Sequence, residues 1–450
     1  MKNQISTGFG RVCIDPPLNT PITGYFYERR AKGILDDIYM SAVAIFDGKS
    51  KALVISAETL ELSTEQCNLY RERLSTECGV DINAIFINCS HTHTGAQVGN
   101  TGGLGTGTSS PEYEAQFVEA MIEASKLALL DLSPSKLSYA TGKAEGISFV
   151  RRYRMKDGGV QTNPGVLNSE IDHPLGEADD TVRLLKIERE GRDDIYIVCF
   201  GTHADTVGGD YISADWPGFV RTTVENAICG VKCLFLTGAQ GDVNHINTKP
   251  TEADRCGLEY DTFDGVPRGY EHAKHMGRVV AGAVISICGK ALPIESGEIK
   301  VGLREIIVPS NKDNAREAEA RKLLNIYNSG RADELPYKAM ELTTAVAEAN
   351  RIVDLVNGPD SFSFVLSAIS IGDFALVGIP GELFVEIGRR AERESIFKST
   401  FVCCLTNGGD CYFPTSKAYD EGGYEARSSK LKKGVDDIVV CGIKELFKSL

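Results

Sequence analysis

A His-Thr-His sequence at the end of an apolar run is the segment in which metal chemistry is easiest to recognise. Residues 84–89 are mostly apolar, His91 follows directly after Ser90, and His93 comes two residues later. Side chains two apart on a strand project to the same face, so the two imidazoles reach one place. The pair alone is a weak signal, because strand histidines more often have ordinary polar partners than a metal. It becomes informative only if further ligands converge on it.

Three further apolar, β-branched runs end in side chains that can bind a metal. They are residues 195–203 with His203, residues 374–382 with Glu382, and residues 401–412 with Tyr412. Ligands of open α/β sheets bind outside the carboxyl ends of the strands, so we expect these strand ends to converge. Two neutral imidazoles and a carboxylate form a common zinc site that leaves a position open for water. The sequence therefore predicts one Zn²⁺ ion.

Turn signals and apolar periodicity predict the elements that position these residues. Three hairpins are predicted, at residues 39–46 with 52–56, 182–188 with 195–200, and 364–371 with 374–379, the first closed by Asp47-Gly48. Helices are predicted at residues 111–130, 217–228, 272–287 and 435–447. The prediction is an α/β fold of the layered α/β/β/α type, in which mixed β-sheets pack together and are flanked by helices.

The domain organisation follows from the absence of linkers. A chain of 450 residues has room for up to about three domains, but no stretch is low in complexity. We expect a single large catalytic domain over residues 1–450. A charged, Ala/Leu-rich segment at about 312–357, broken by Gly330, predicts an inserted helical hairpin packed on the outside, its charges solvated.

Composition restricts the partners and the compartment. The net charge of −14, from 48 basic and 62 acidic residues, argues against nucleic acid and against docking on an anionic membrane. Thirteen cysteines without a CxxC pair are typical of a reducing compartment. No secretion signal and no run of 18 apolar residues is present, so we expect a cytoplasmic location without a stable membrane anchor. The oligomeric state stays open.

Two loops near the predicted strand ends have both a functional and a structural interpretation. Asp205 is a candidate to orient a metal-binding imidazole, and Asp215 is favoured as a helix cap. Trp216 either lines a substrate pocket or packs in the core. Gly241 and Asp242 lie on a loop that suits substrate binding, or else form an ordinary glycine turn.

A glycine-rich segment and a pair of helical histidines are weaker signals of a functional site. The glycine-rich residues 102–107 lack the ending of a phosphate-binding loop and are predicted to form a lid beside His93. His272 and His275 lie on a predicted helix without a partnering carboxylate pattern, so they are predicted to be core or surface histidines.

The order of the motifs resembles the catalytic domain of the neutral, non-lysosomal ceramidase family and its shorter bacterial relatives. The matching segments span nearly the whole chain: Gly8-Phe-Gly-Arg11, Pro21-Ile-Thr-Gly24-Tyr25, residues 90–95, Thr202-His203, Gly241-Asp242-Val243, Ile379-Pro-Gly-Glu382, residues 412–419 and Tyr424-Glu425. The resemblance implies that one zinc ion is held by His91, His203, Glu382 and Tyr412. It also implies that His93, Arg151 (or its neighbour Arg152) and Tyr424 assist catalysis.

Two departures from that family affect the expected ceramide specificity but not the predicted metal ligands. Asn244 stands where the family has a serine that works in catalysis, and we expect no Ig-like C-terminal domain within these 450 residues. Asn244 can still donate a hydrogen bond, so direct attack by metal-activated water remains possible. Arg151 and Tyr424 would stabilise the oxyanion, and His93 would protonate the leaving group.

These features predict a zinc-dependent hydrolase that cleaves an N-acyl amide or a related ester in a small-molecule or lipid-like acylated substrate. One alternative is a zinc-dependent hydrolase or lyase acting on a small polar substrate, such as a carbohydrate derivative or a cyclic ester. A second alternative is a non-catalytic metal-dependent binding protein.

Overall fold

The computed structural model describes residues 4–25, 27–99, 109–255, 261–263, 266–294, 297–409 and 411–450. Its larger sheet contains β1 (Ser6–Cys13), β2 (Tyr39–Phe46), β3 (Lys51–Ala57), β4 (Ile85–Cys89), β5 (Ser133–Lys143), β6 (Thr181–Arg189), β7 (Asp194–Phe200) and β8 (Val231–Thr237). The strands run in the order β8-β7-β6-β5-β1-β2-β3-β4, and Leu292–Pro293 pairs with β5. The smaller sheet runs in the order of its strands, β9 (Ile299–Pro309), β10 (Ser361–Ile371), β11 (Phe374–Gly378) and β12 (Ser399–Cys403).

Helices flank both sheets. They are α1 (Thr64–Cys78), α2 (Pro111–Leu130), α3 (Asp215–Ala227), α4 (Tyr270–Ile287), α5 (Glu317–Asn328), α6 (Ala339–Leu355), α7 (Val385–Arg393), α8 (Ser416–Glu421), α9 (Tyr424–Ser428) and α10 (Val435–Lys448), with a single turn at Glu252–Arg255. The α2 helix packs on β1 and β2, while α10 packs on β9 and β10. Every helix in the described ranges falls short of the length or the apolar content that a bilayer crossing requires.

The loops that connect the strands of the two sheets contain short strands of two to four residues. They are Pro21–Ile22, Arg29–Arg30, Gly33–Ile34, Phe149–Val150, Arg152–Met155, Val160–Thr162, Ile171–Pro174, Tyr211–Ile212, Val243–Asn244, Asp261–Phe263, Val266–Arg268, Glu382–Leu383 and Tyr412–Phe413.

One supersecondary pattern occurs three times in the described chain. In each case an antiparallel hairpin is followed by a strand that runs parallel to the second strand of the hairpin: β2-β3-β4, β6-β7-β8 and β10-β11-β12. The parallel strand needs a crossover, and α1, α3 and α7 provide it. The pattern places several strand carboxyl ends on one side of the molecule.

The carboxyl ends of β4, β8 and β12 are joined directly by hydrogen bonds. The Asn88 side chain accepts a hydrogen bond from the Thr237 backbone N–H at 2.9 Å and donates one to the Cys404 carbonyl at 2.7 Å. The Thr237 hydroxyl donates to the Cys89 carbonyl at 2.7 Å. All of these groups are buried. The loops that follow the three strands therefore start from one rigid junction.

The predicted fold class is confirmed: mixed sheets flanked by helices form a single domain. The three predicted hairpins are present, α2 has the predicted bounds, and α3, α4 and α10 lie where helices were predicted. Sequence reasoning missed α1, although Ser63 and Gln66 form a capping box at its start and Gly79 ends it at φ 62°. The segment at about 312–357 contains α5 and α6, and its being an insertion stays a prediction.

Candidate metal centre

His91 enters the site in an unusual backbone conformation just after β4. Its φ of 66° lies in the left-handed region, which few residues other than glycine adopt. Its backbone N–H donates to the Thr59 carbonyl at 3.0 Å, which holds this conformation. The ring Nδ1 lies 3.0 Å from the Leu60 carbonyl. A carbonyl only accepts, so in the neutral ring Nδ1 carries the proton and Nε2 is left with a lone pair.

His93 and His203 are oriented by the same device. Nδ1 of His93 lies 3.0 Å from the Gly24 carbonyl, and Nδ1 of His203 lies 2.9 Å from the Gln240 carbonyl. Each ring therefore turns Nε2 inward. One ligand atom from each of His91, His93 and His203 lies within 4.8 Å of the other two. Backbone carbonyls that fix the tautomer in this way are typical of metal-binding histidines.

Glu382 brings an anionic oxygen to the same place. It begins the short strand Glu382–Leu383, which pairs in parallel with Tyr412–Phe413. Its Oε2 lies 3.3 Å from Nε2 of His91 and 3.0 Å from Nε2 of His203. Burial opposes ionisation of this carboxyl, but the two imidazoles hold its pKa well below the usual value. It is therefore a carboxylate facing two imidazole nitrogens.

The donor set fits a divalent ion such as zinc. Nε2 of His93 is buried and makes no hydrogen bond with any described residue, and Nε2 of His203, also buried, faces the Glu382 carboxylate at 3.0 Å. Orphaned buried nitrogens are rare in folded proteins and call for an explanation such as a bound ion. Burial, together with the neighbouring ring of His91 for His93 and the Arg151 cation for His203, lowers the pKa of both rings, so they are held in the neutral form that coordinates metals.

Arg151 lies beside this cluster and is fixed on three sides. Its Nε donates to Glu425 Oε1 at 2.6 Å, and its Nη2 donates to the Gly241 carbonyl at 2.9 Å and to the Tyr412 hydroxyl at 3.1 Å. The other Glu425 oxygen accepts a hydrogen bond from the Thr162 hydroxyl at 3.0 Å. Glu425 is completely buried. The guanidinium is thus presented to the site by a pre-formed ion pair.

The neighbouring arginine faces elsewhere. Nη2 of Arg152 donates to the Gly422 carbonyl at 2.8 Å and to Glu421 at 3.2 Å, and its guanidinium lies 5.6 Å from the Phe384 ring. It does not line the cavity at the metal cluster. Of the two candidates, Arg151 is the one at the site.

A cavity of about 160 Å³ opens onto the cluster. Its described wall consists of Gly24, Tyr25, Tyr27, His91, His93, Arg151, Thr162, Asn163, His203, Asp205, Arg268, Tyr327, Met340, Thr343, Glu382, Tyr412 and Tyr424. The rings of Tyr412 and Tyr424 pack edge to face at 5.8 Å. Burial and the nearby Glu382 carboxylate raise the pKa of both phenols, which keeps them as neutral hydrogen-bond donors.

Three residues predicted to bind substrate do not line this cavity. Trp216 is fully buried between the rings of Phe200 and Phe235, and its indole N–H donates to the His203 carbonyl. Asp242 accepts a hydrogen bond from the Val385 backbone N–H, which fixes the start of α7. Strand-end loops pack on one another as well as on a ligand, which explains these positions, and a role of the three residues in substrate binding stays a prediction.

Gly241, the third of these residues, lies behind the metal cluster. A Cβ at this position would come within 2.7 Å of the Glu382 carbonyl oxygen, so only glycine permits the two loops to pack this closely. Its own carbonyl accepts the hydrogen bond from Arg151. Gly241 thus positions two site residues instead of touching the cavity.

Asn244 and Asp205 occupy positions that the sequence did not anticipate. The Asn244 amide is buried and donates to Asn163 Oδ1 at 3.1 Å, so it reaches the cavity wall through another side chain. Asp205 was predicted to orient a metal-binding imidazole, and this prediction is wrong. Its Oδ1 lies 3.1 Å from Nδ1 of His245, while the ring of His203 is oriented by backbone carbonyls.

His272 lies as predicted, whereas Asp215 is not the cap that was predicted. Asp215 is the first residue of α3, and the start of this helix has no side-chain cap hydrogen bond. Its carboxylate instead accepts hydrogen bonds from the Val207 and Trp216 backbone N–H groups and so closes the loop that leads into α3. His272 lies on α4 with its ring 5.6 Å from that of His245, outside the cavity wall. The predicted lid at residues 102–107 lies outside the described residues.

Part of the cavity wall was missed by sequence reasoning. Tyr327, Met340 and Thr343 come from α5 and α6, the helical segment that was predicted to pack on the outside. Its charged composition gave no signal of an inward face. For Tyr25 and Tyr27 a signal existed, because both follow Gly24, whose φ of 107° marks a turn that only glycine makes easily.

Gly24→Ala is expected to lower both the free energy of unfolding and any activity that depends on His93. A Cβ at Gly24 would lie 2.8 Å from Nδ1 of His93, and the left-handed backbone adds about 1–2 kcal/mol of strain. Gly48→Ala is the matched control, because Gly48 has φ 90° but a Cβ there would meet no atom within 4 Å. Urea denaturation of both variants separates strain from the clash; equal losses in both would contradict the role assigned to Gly24.

Comparison with known proteins identifies the fold. No family model matches the sequence, and a search of curated proteins finds no significant match. Among solved structures, neutral ceramidase from Pseudomonas aeruginosa superposes with a TM-score of 0.72 at 16% identity, over 100% of this chain and 75% of that chain. A ceramidase complexed with C2 gives a TM-score of 0.71 at 16% identity, over 99% of this chain and 74% of that one. The chain therefore has a ceramidase-like fold.

Proposed function

We propose that the protein is a metal-dependent hydrolase that cleaves an amide or a related ester bond of an acylated substrate. The observation that carries the proposal is the meeting of three inward-facing imidazoles and one carboxylate at the end of a cavity. The two solved structures compared above are described as ceramidases, which favours an acylated amine as the substrate class. Ceramide itself is not part of the proposal.

The proposed metal ligands are His91, His203, Glu382 and Tyr412, and the proposed ion is Zn²⁺. Imidazole nitrogens with one carboxylate suit zinc better than the hard cations, which prefer oxygen ligands. The chemistry that such an ion supplies when bound is Lewis-acid polarisation of a carbonyl and activation of water. Tyr412 lines the cavity and receives a hydrogen bond from Arg151, so this phenol is available to the same site.

The remaining site residues are proposed to stabilise the oxyanion and to transfer a proton. Arg151 keeps its charge beside Glu425, and together with the Tyr424 hydroxyl it faces the cavity where an oxyanion would develop. His93 has a neutral imidazole whose Nε2 is turned inward, so it can take up a proton and pass it to a leaving group. Asn244 supports Asn163 on the wall and supplies no nucleophile.

A second candidate function keeps the metal and changes the substrate. The cavity is small, and its wall includes Asn163, Asp205 and Arg268 in addition to tyrosine hydroxyls. Such a wall suits a small polar molecule, for example a carbohydrate derivative or a cyclic ester. A substrate panel of acylated amines against sugar derivatives, assayed with the zinc-loaded protein, distinguishes the two.

The His93→Ala variant tests the proposal. We expect it to keep one equivalent of zinc but to lose activity by about 100-fold or more, because the proton-transfer group is removed while the ligands stay. His173→Ala is the control, since this imidazole is exposed and its Nδ1 lies 3.1 Å from the exposed Asp172 carboxylate. Metal content is measured by plasma mass spectrometry. Turnover is measured with the panel of acylated amines.

Two outcomes would overturn the assignment. Loss of zinc from His93→Ala would make His93 a ligand instead of a proton carrier. Zinc-loaded wild-type protein that turns over no member of either panel would favour the remaining alternative, a non-catalytic metal-dependent binder.

A further inference from the structure

The helical pair α5–α6 contributes three residues to the wall of the cavity that also contains the metal cluster. Tyr327 lies in the last turn of α5, and Met340 and Thr343 lie in the first turns of α6; all three line the cavity. The loop between the two helices spans residues 329–338. A segment that was predicted to pack on the outside therefore limits the volume of the cavity at the proposed metal site.

This wall is held firmly in place. Glu348 of α6 is buried and lies 3.1 Å from Arg316 Nη1 and close to Arg427 Nη2, at 2.5 Å. Arg351 Nε donates to the Arg427 carbonyl at 2.7 Å. Arg427 belongs to α9, the helix that begins with Tyr424. The pair α5–α6 is thus fastened to the helix that carries a proposed catalytic residue, and the wall cannot easily recede for a larger substrate.

The resulting space is too small for a long chain. The cavity measures about 160 Å³, whereas pockets for drug-sized ligands occupy about 300–1,000 Å³. Polar groups interrupt the apolar surface on several sides, among them Asn163, Asp205 and Arg268. An extended alkyl chain would bury these groups without giving them hydrogen bonds, which is costly.

Met340 borders a second depression as well as this cavity. A neighbouring depression of about 190 Å³ is lined by Gln161, Tyr337 and Arg427, among others, and shares Thr162, Asn163 and Met340 with the first. Shortening the Met340 side chain would connect the two spaces. Tyr337, by contrast, touches only the second depression.

The geometry points to a substrate with a short acyl group, of about two to four carbons, whose length is limited by Tyr327 and Met340. This inference rests on the proposed function, because it assigns the substrate class of the same site. The wall excludes longer chains by volume: each extra methylene that does not fit costs about 1–3 kcal/mol, or about 10- to 200-fold.

The test compares chain length in wild-type protein and three variants. Zinc-loaded protein is assayed with 4-nitrophenyl acetate, butanoate and octanoate, and its binding of acetohydroxamate and octanohydroxamate is measured by calorimetry. Wild type is expected to prefer the acetyl compound over the octanoyl compound by about 100-fold or more, in kcat/KM and in Kd. Met340→Ala and Tyr327→Ala are expected to reduce that preference by about 10-fold or more.

Tyr337→Ala is the matched control, a tyrosine between the same two helices that lies off the cavity, and it is expected to keep the wild-type preference within about two-fold. Equal use of acetyl and octanoyl compounds by wild type, or an unchanged preference in Met340→Ala and Tyr327→Ala, would overturn the inference while leaving a hydrolase in place. If no ester is cleaved, the proposed function fails, and the hydroxamate affinities still decide whether these residues limit chain length.

Discussion

Glu382→Gln is expected to weaken zinc binding by at least about 100-fold and to lower the rate of hydrolysis by about 1000-fold. The substitution keeps the shape of the side chain but removes its charge. Oε2 of Glu382 lies 3.3 Å and 3.0 Å from the Nε2 atoms of His91 and His203, so it places a negative charge between the two imidazoles. Zinc affinity is measured by competition with a chromogenic chelator, and activity as kcat/KM.

Glu386→Gln is the matched control for this experiment. Glu386 lies on α7 only four residues further along the chain, but it is exposed and pairs with Arg393. It is expected to leave both zinc affinity and kcat/KM within about two-fold of wild type, as surface substitutions usually do. Retention of wild-type zinc affinity by Glu382→Gln would remove Glu382 from the ligand set and with it the proposed metal centre.

The metal cluster could be anticipated from the sequence because its residues lie at strand ends. His91 follows β4, His203 follows β7 and Glu382 follows β11, and the apolar runs that mark these strands are visible without a structure. The carboxyl ends of these strands lie on one side of the molecule, so the order of strands and helices brings His91, His203 and Glu382 together. The hydrogen bonds of Asn88 with Thr237 and Cys404 bring the sheets together at this side.

The rest of the site depends on packing that no local pattern encodes. Trp216 and Asp242 lie in loops next to the ligands, yet the first faces the core and the second holds the start of α7. Tyr327 and Met340 lie far from the ligands in sequence, yet they line the same cavity. Tertiary contacts decide whether a loop residue faces a ligand or a neighbouring loop. Such contacts leave no repeating pattern in the sequence from which they could be predicted.

Glu425→Leu is expected to lower the free energy of unfolding by about 3–5 kcal/mol. Glu425 is completely buried and its Oε1 accepts a hydrogen bond from Arg151 Nε at 2.6 Å. Leucine keeps much of the volume but leaves the Arg151 guanidinium buried without its counter-ion. Stability is measured by urea denaturation of the metal-free protein, so that metal binding does not contribute.

The double variant Arg151→Met/Glu425→Leu separates stability from catalysis. Removing both charges is expected to regain most of the lost stability, because a buried ion pair is often matched by apolar residues of similar size. Activity is expected to stay low, since Arg151 lines the cavity and its positive charge is then gone. Glu445→Leu is the control: Glu445 forms a half-exposed pair with Arg304 and should change stability by less than about 0.5 kcal/mol. Full activity in the stable double variant would show that the pair only holds the fold and that the oxyanion is stabilised elsewhere.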